Sequence, residues 1–127
     1  MSNKKKLVDR RKHKRFQVED GAFVELRPSD SGVWQLIDIS MGGLTFDYIT
    51  MQPPSVKATE LDIFLTNSAF RLFEIPCNSV WDSTTYDFRT TPLHKRRCGV
   101  EFRDLTSHQR LQIEHLIENH AVGEVQA

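Results

Sequence analysis

From Ala22 to Pro28 apolar and charged residues alternate (AFVELRP), the period-two pattern of a strand with one buried face. The cluster SDSG at 29–32 ends it as a turn, and a second strand is expected from Val33 to Ile39. A double glycine interrupts the pattern between Ser40 and Gly43. It resumes from Leu44 to Tyr48, with Leu44, Phe46 and Tyr48 on one face. Beyond the Pro53-Pro54 loop, strands are expected near Thr59 to Leu65 and from Phe70 to Trp81, parted by a turn at Asn67-Ser68. Residues 83–96 are polar and turn-rich and read as a loop, and Cys98 to Phe102 as a last strand.

The helical period occurs only near the C-terminal end, where Ile113, Leu116, Ile117 and His120 fall at i, i+3, i+4 and i+7. Thr106 and Gln109 have the spacing of a capping box, which places the helix start near Ser107. Residues 121–127 (AVGEVQA) read as a frayed, disordered tail. Short strands separated by turns, with one closing helix, predict a mainly β fold. A small antiparallel barrel suits it, because closure removes the exposed edges of an open sheet.

A length of 127 residues suits one domain. Its expected parts are a flexible basic arm over 1–16, a barrel with its helix over 17–120, and the tail. A hydrophobic content of 39% and a mean hydropathy of −0.46 predict a soluble protein. No apolar run reaches the roughly 18 residues of a membrane helix, nor is there the apolar core of a secretory signal, so a cytoplasmic location is expected. The zero net charge conceals a division. Residues 1–15 hold eight Lys and Arg against one acid, whereas the remaining 112 residues hold nine against sixteen. A basic arm on an acidic body is suited to phosphate, nucleic acid or an acidic surface.

Catalytic motifs are missing: there is no nucleophile elbow, P-loop, zinc-protease helix or dinucleotide fingerprint, and no enzyme is expected. Asp82 and Asp87 read as solvated acids. Cys77 and Cys98 lie in apolar runs without a CxxC spacing and read as reduced core thiols. Among the five histidines, the spacings of His108, His115 and His120 do not give the i, i+4 pair that aims two imidazoles at one zinc, and His94 with Cys98 lacks a third ligand. No metal or other cofactor is expected.

Two segments use residue types poorly suited to structure alone. RRKHKRF, from Arg10 to Phe16, carries Arg11 and Arg15 four apart, close enough for two guanidinium forks to converge on one ligand. Such forks match phosphate oxygens and the O6 and N7 acceptors of guanine. DISMGG, from Asp38 to Gly43, places a carboxylate, a hydroxyl and a bare backbone at one corner. Asp38 can accept from the N1 and N2 protons of guanine, and glycine allows positive φ and close ligand approach. A plain turn, with Asp38 and Ser40 bonded to nearby amides, is the alternative.

Together the segments resemble the PilZ family, whose motifs are RxxxR followed by D/NxSxxG, here Arg11 and Arg15, then Asp38, Ser40 and Gly43. RCGVEF, Arg97 to Phe102, with the helix after it is similar to the family's closing strand and helix, and the resemblance covers nearly all the chain after Leu7. It implies a six-stranded antiparallel PilZ-like β-barrel with one C-terminal helix, a receptor binding cyclic di-GMP between the arm and the barrel. Arg11 and Arg15 would take phosphates and the guanine Hoogsteen edge, Asp38 the N1 and N2 protons and Ser40 a further polar contact, with Gly43 leaving space. Arg10, just before the motif, implies two intercalated nucleotides, as in some members. The expected mechanism is ordering of the arm by ligand, with the signal passed to an unidentified downstream protein. The competing readings are a PilZ-fold adaptor binding protein without nucleotide, and an RNA- or DNA-binding module using the arm. The acidic body opposes a long polyanion, so no nucleic acid is expected.

Overall fold

The structure, a computed structural model, describes residues 13–27, 33–50 and 59–125. Its elements run β1 (Phe16–Val18), β2 (Ala22–Arg27), β3 (Val33–Ile39), β4 (Gly43–Thr50), β5 (Glu60–Leu65), β6 (Arg71–Asp87), β7 (His94–Phe102), α1 (Ser107–His120) and β8 (Ala121–Glu124). Strands β2-β5-β6-β7-β4-β3 are hydrogen-bonded in that order, and a β2–β3 pairing closes them into a six-stranded antiparallel barrel. The remaining two strands hang on its outside, β1 paired to β3 and β8 to β1.

Alternation decides which residues fill the barrel. In β2, Ala22, Val24 and Leu26 are buried while the residues between them are not. They join Ile39, Phe46, Leu61, Ile63, Leu72 and Ile75 in one core, and the helix adds Ile113 and Leu116, both fully buried. The capping box sets the helix start as expected. The Thr106 hydroxyl accepts from the Gln109 amide and the Gln109 side-chain carbonyl from the Thr106 amide, each at 3.0 Å. Cys77 and Cys98 are free and buried. Burial pushes their thiols up to about 12 and about 11, so neither supplies a thiolate at neutral pH.

Four sequence expectations fail in whole or in part, for identifiable reasons. Residues 83–96 are a loop only over 88–93: β6 and β7 continue through 83–87 and 94–96 as a paired ribbon from Trp81↔Gly99 to Asp87↔His94. Hydrophobic periodicity reports burial, and this ribbon covers no core. It is held by backbone pairing and ion pairs. Arg96 Nε donates to Asp82 at 2.7 Å, and Tyr48 Oη donates to the same carboxylate at 2.5 Å, so Asp82 is not a solvated acid. Residues 121–124 form β8 instead of a frayed tail, because β1 offers them an open edge. Phe16, placed in a flexible arm, belongs to β1 for the same reason.

One buried carboxylate ties the barrel together. Asp62 receives both forks of Arg27, at 2.5 and 2.6 Å, and the Glu74 amide at 2.8 Å. Burial works to raise its pKa, but the hydrogen bonds from Arg27 and Glu74 outweigh that and hold it below the ordinary value of 3.8. A carboxyl with a lowered folded pKa stabilises fully above its unfolded value of about 3.9, and the contribution is lost as pH falls through the folded value. Asp62→Asn is therefore expected to lower the Tm at about pH 7 and to flatten the acid limb of stability. Thermal melts of both proteins from neutral to strongly acidic pH check this, and parallel acid limbs would contradict it.

Candidate functional site

The site forms where β1, β3, the β3–β4 turn and the β6–β7 ribbon meet. Arg15 leads into β1, whose pairing with β3 sets Gln17 opposite Asp38. The Arg15 guanidinium lies 4.0 Å from Asp38 Oδ1, close enough for charge attraction and too far for a hydrogen bond. Asp38 is only 7% exposed, and its Oδ1 has no hydrogen-bond partner among the described residues. Directly across the ladder, the buried Thr45 hydroxyl is likewise without one. Buried polar atoms left without a hydrogen bond are costly and uncommon in a folded protein. Oδ1 of Asp38 is thus not bonded to local amides, as a plain turn would require.

Ser40 does follow the turn alternative. Its amide donates to the Gly43 carbonyl at 2.8 Å, and its hydroxyl accepts from the Gly42 and Gly43 amides at 3.0 and 3.2 Å. The hydroxyl shapes the corner that carries Asp38, and its lone pairs face inward to the loop. Gly43 also serves differently from expectation. Its φ is not positive, and a Cβ there would collide with the Val100 carbonyl, so glycine is required by the close approach of β4 to β7. At Gly42 an added Cβ would meet the His13 ring at 2.6 Å, so the bare backbone is what lets the segment before β1 lie over the turn.

A cavity of about 430 Å³ opens beside these groups, lined by His13, Arg15, Ser40, Gly42, Gly43, Val80, Trp81, Gly99 and Glu101 among others. Trp81 is the large aromatic side chain in this lining that stays exposed. The indole lies against Gly99, its partner across the β6–β7 ladder, where a Cβ would strike the ring, and it stays 37% exposed. An exposed aromatic ring beside a cationic fork is a platform on which a base can stack. Sequence reading missed Trp81. The signal was a tryptophan facing a glycine across two strands, which shows only once the register is known.

The structure thus brings together Arg15, Asp38, Ser40 and Gly43. Arg10 and Arg11 lie outside the described residues. Groups of three or more potential metal ligands do not occur among the described residues. Beyond the site, Asp47 takes Arg97 Nε and Nη2 at 2.7 and 3.1 Å, with Lys95 at 3.7 Å, which pairs those β7 cations with β4.

Comparison with protein families matches the PilZ domain over residues 9–119. Among solved structures, the chain is similar to the PilZ domain of YcgR from Escherichia coli with c-di-GMP, at 15% identity and a TM-score of 0.67, covering 88% of this chain and 92% of that one. It is also similar to the K. pneumonia MrkH complex with c-di-GMP, at 16% identity and a TM-score of 0.64, covering 88% of this chain and 52% of MrkH, about half that protein's length. Apo MrkH aligns at 14% identity and a TM-score of 0.59, over 84% of this chain and 47% of that one. Comparison with curated proteins gives no match.

Proposed function

Because the chain belongs to the PilZ domain family, we propose that it is a receptor for cyclic di-GMP, bound between the segment before β1 and the barrel face bearing Asp38. The observation that carries this reading is the buried Asp38 oxygen without a hydrogen-bond partner, beside an arginine that is near but not bonded. Guanine presents two donors on one edge, N1–H and N2–H, which would satisfy that oxygen. It also presents O6 and N7 to an arginine fork. The phosphodiester supplies the anion that Arg15, and Arg11 from the same motif, would hold. Trp81 would stack on a guanine face. Ser40 and Gly43 act on this reading through the backbone, fixing the corner from which Asp38 projects.

Residues 4–12, within the part of the arm that lies outside the described residues, hold six Lys and Arg with only two apolar side chains. Ligand charge would order them, and the ordered segment would offer a downstream protein a surface that differs between the two states. Arg10 favours two intercalated nucleotides per chain. Calorimetric titration with cyclic di-GMP, with GTP and single-stranded RNA as controls, tests the assignment and gives the stoichiometry. Amide exchange of residues 4–12 tests the ordering. Binding of RNA without cyclic di-GMP would reverse the reading.

Trp81→Ala is expected to weaken cyclic di-GMP binding roughly fivefold to a hundredfold, the range for one base stacked on one aromatic ring at about 1–3 kcal/mol. Trp81→Phe should recover most of the loss. The indole packs outside the core, so the Tm of both variants should stay near that of the parent. Unchanged affinity in Trp81→Ala would remove the ring from the site.

A further inference from the structure

We infer that β8 is a positioning strand for Arg15, a part of the ligand site contributed by the far end of the chain. The inference rests on the assignment of Arg15 and Asp38 to nucleotide binding. Strand β1, which begins one residue after Arg15, is only three residues long and meets β3 at two positions, Phe16↔Ile39 and Gln17↔Asp38. So short a strand with one neighbour does not hold its own register. β8 supplies the second neighbour, with Phe16↔Glu124, Gln17↔Gly123 and Val18↔Ala121.

The grip extends past both ends of β1. On the near side the Val125 amide donates to the carbonyl of Arg15 itself at 2.8 Å. On the far side the Glu19 amide donates to the His120 carbonyl at 2.9 Å, and the Glu19 carboxylate lies 3.1 Å from His120 Nδ1. The exposed Lys14–Glu124 pair at 4.0 Å adds little. β8 in turn continues directly from α1, which the fully buried Ile113 and Leu116 fix to the barrel. A continuous mechanical path therefore runs from the core through α1, β8 and β1 to the arginine backbone.

The side chains of β8 explain little of why it is held. Val122 is 65% exposed and no β8 residue is fully buried, so its interactions are chiefly those of its backbone. Removing it should spare the core and release only β1. A guanidinium fork binds well when its backbone is fixed beforehand, since the cost of ordering is then already met in the free protein.

The test compares the full chain with one ending at His120, and with Val125→Pro and Val125→Ala in the full chain. Proline removes the amide that holds the Arg15 carbonyl, and alanine keeps it. The shortened chain is expected to melt cooperatively, to exchange the amides of residues 16–18 faster without ligand, and to bind cyclic di-GMP about tenfold or more weaker. Val125→Pro should show the same changes in smaller degree, and Val125→Ala should match the parent. A folded, shortened chain that binds as tightly as the parent, or keeps residues 16–18 as protected, overturns the inference. If the shortened chain does not fold, the contrast between Val125→Pro and Val125→Ala decides, and equal affinity and exchange in that pair overturn it. If the parent itself binds no cyclic di-GMP, the nucleotide assignment fails by itself. Exchange at residues 16–18, with and without β8, then still shows whether the strand holds the arginine.

Discussion

Asp38→Ala is expected to weaken cyclic di-GMP binding by about tenfold to a hundredfold and to erode the preference for guanine, without destabilising the fold. The affinity loss follows from one or two charge-assisted hydrogen bonds at about 1.5–3 kcal/mol each, partly offset because the ligand is also held by cations. The loss of selectivity follows from the chemistry of the edge. Only guanine offers donors at N1 and N2, so without the carboxylate, cyclic di-AMP and cyclic di-GMP should draw closer in affinity. Stability should hold or rise, because the change removes a desolvated oxygen that has no hydrogen bond in the free protein. Titrations of both nucleotides and a thermal melt check all three. An unchanged affinity ratio would assign guanine recognition elsewhere.

Arg15→Ala is expected to cost at least about tenfold in affinity as well, with a contrasting stability signature. Its guanidinium is the cation nearest Asp38 among the described residues, at 4.0 Å. Removing it leaves the carboxylate without that counter-charge, so the Tm should fall slightly where Asp38→Ala holds it or raises it. Arg15→Lys should not restore binding, since an ammonium lacks the planar fork that meets a phosphate or the Hoogsteen edge of guanine. The double variant Arg15→Ala/Asp38→Ala should lose less than the sum of the two, because each single change also frees the other residue from the ion pair. Affinity within a factor of two of the parent in Arg15→Ala would place the anion contact on other residues.

The barrel strands were legible because their core-facing residues are apolar: burial writes a period of two into Ala22–Leu26, and in Leu44–Tyr48, where all five residues are buried, polarity still alternates with the core face. The helix start was legible because Thr106 and Gln109 satisfy each other's amides locally. What escaped was whatever depends on pairing without burial. The paired ribbon over 83–87 and 94–96 has no core beneath it, and β8 buries almost nothing, so neither leaves a hydrophobic signature. In the candidate site, the D/NxSxxG spacing pointed to Ser40 and Gly43 but not to their surroundings. Ser40 bonds the Gly42 and Gly43 amides and Gly43 packs against the Val100 carbonyl, contacts that show only in three dimensions. Trp81 needed the β6–β7 register before its partner Gly99 could be seen.

The β1–β8 pairing also has a kinetic meaning. It joins residues about a hundred positions apart, the longest loop closure among the barrel's strand pairings, whereas β6 and β7 fold back on each other through a short turn. The local ribbon closes a short loop, whereas the full two-sided pairing of β1 needs residues as far along as β8. During synthesis on the ribosome Arg15 and Asp38 emerge early, while the backbone that holds the Arg15 carbonyl emerges only with residues 121–125. On the proposed reading, a nascent domain without that strand would hold nucleotide more weakly than the finished one.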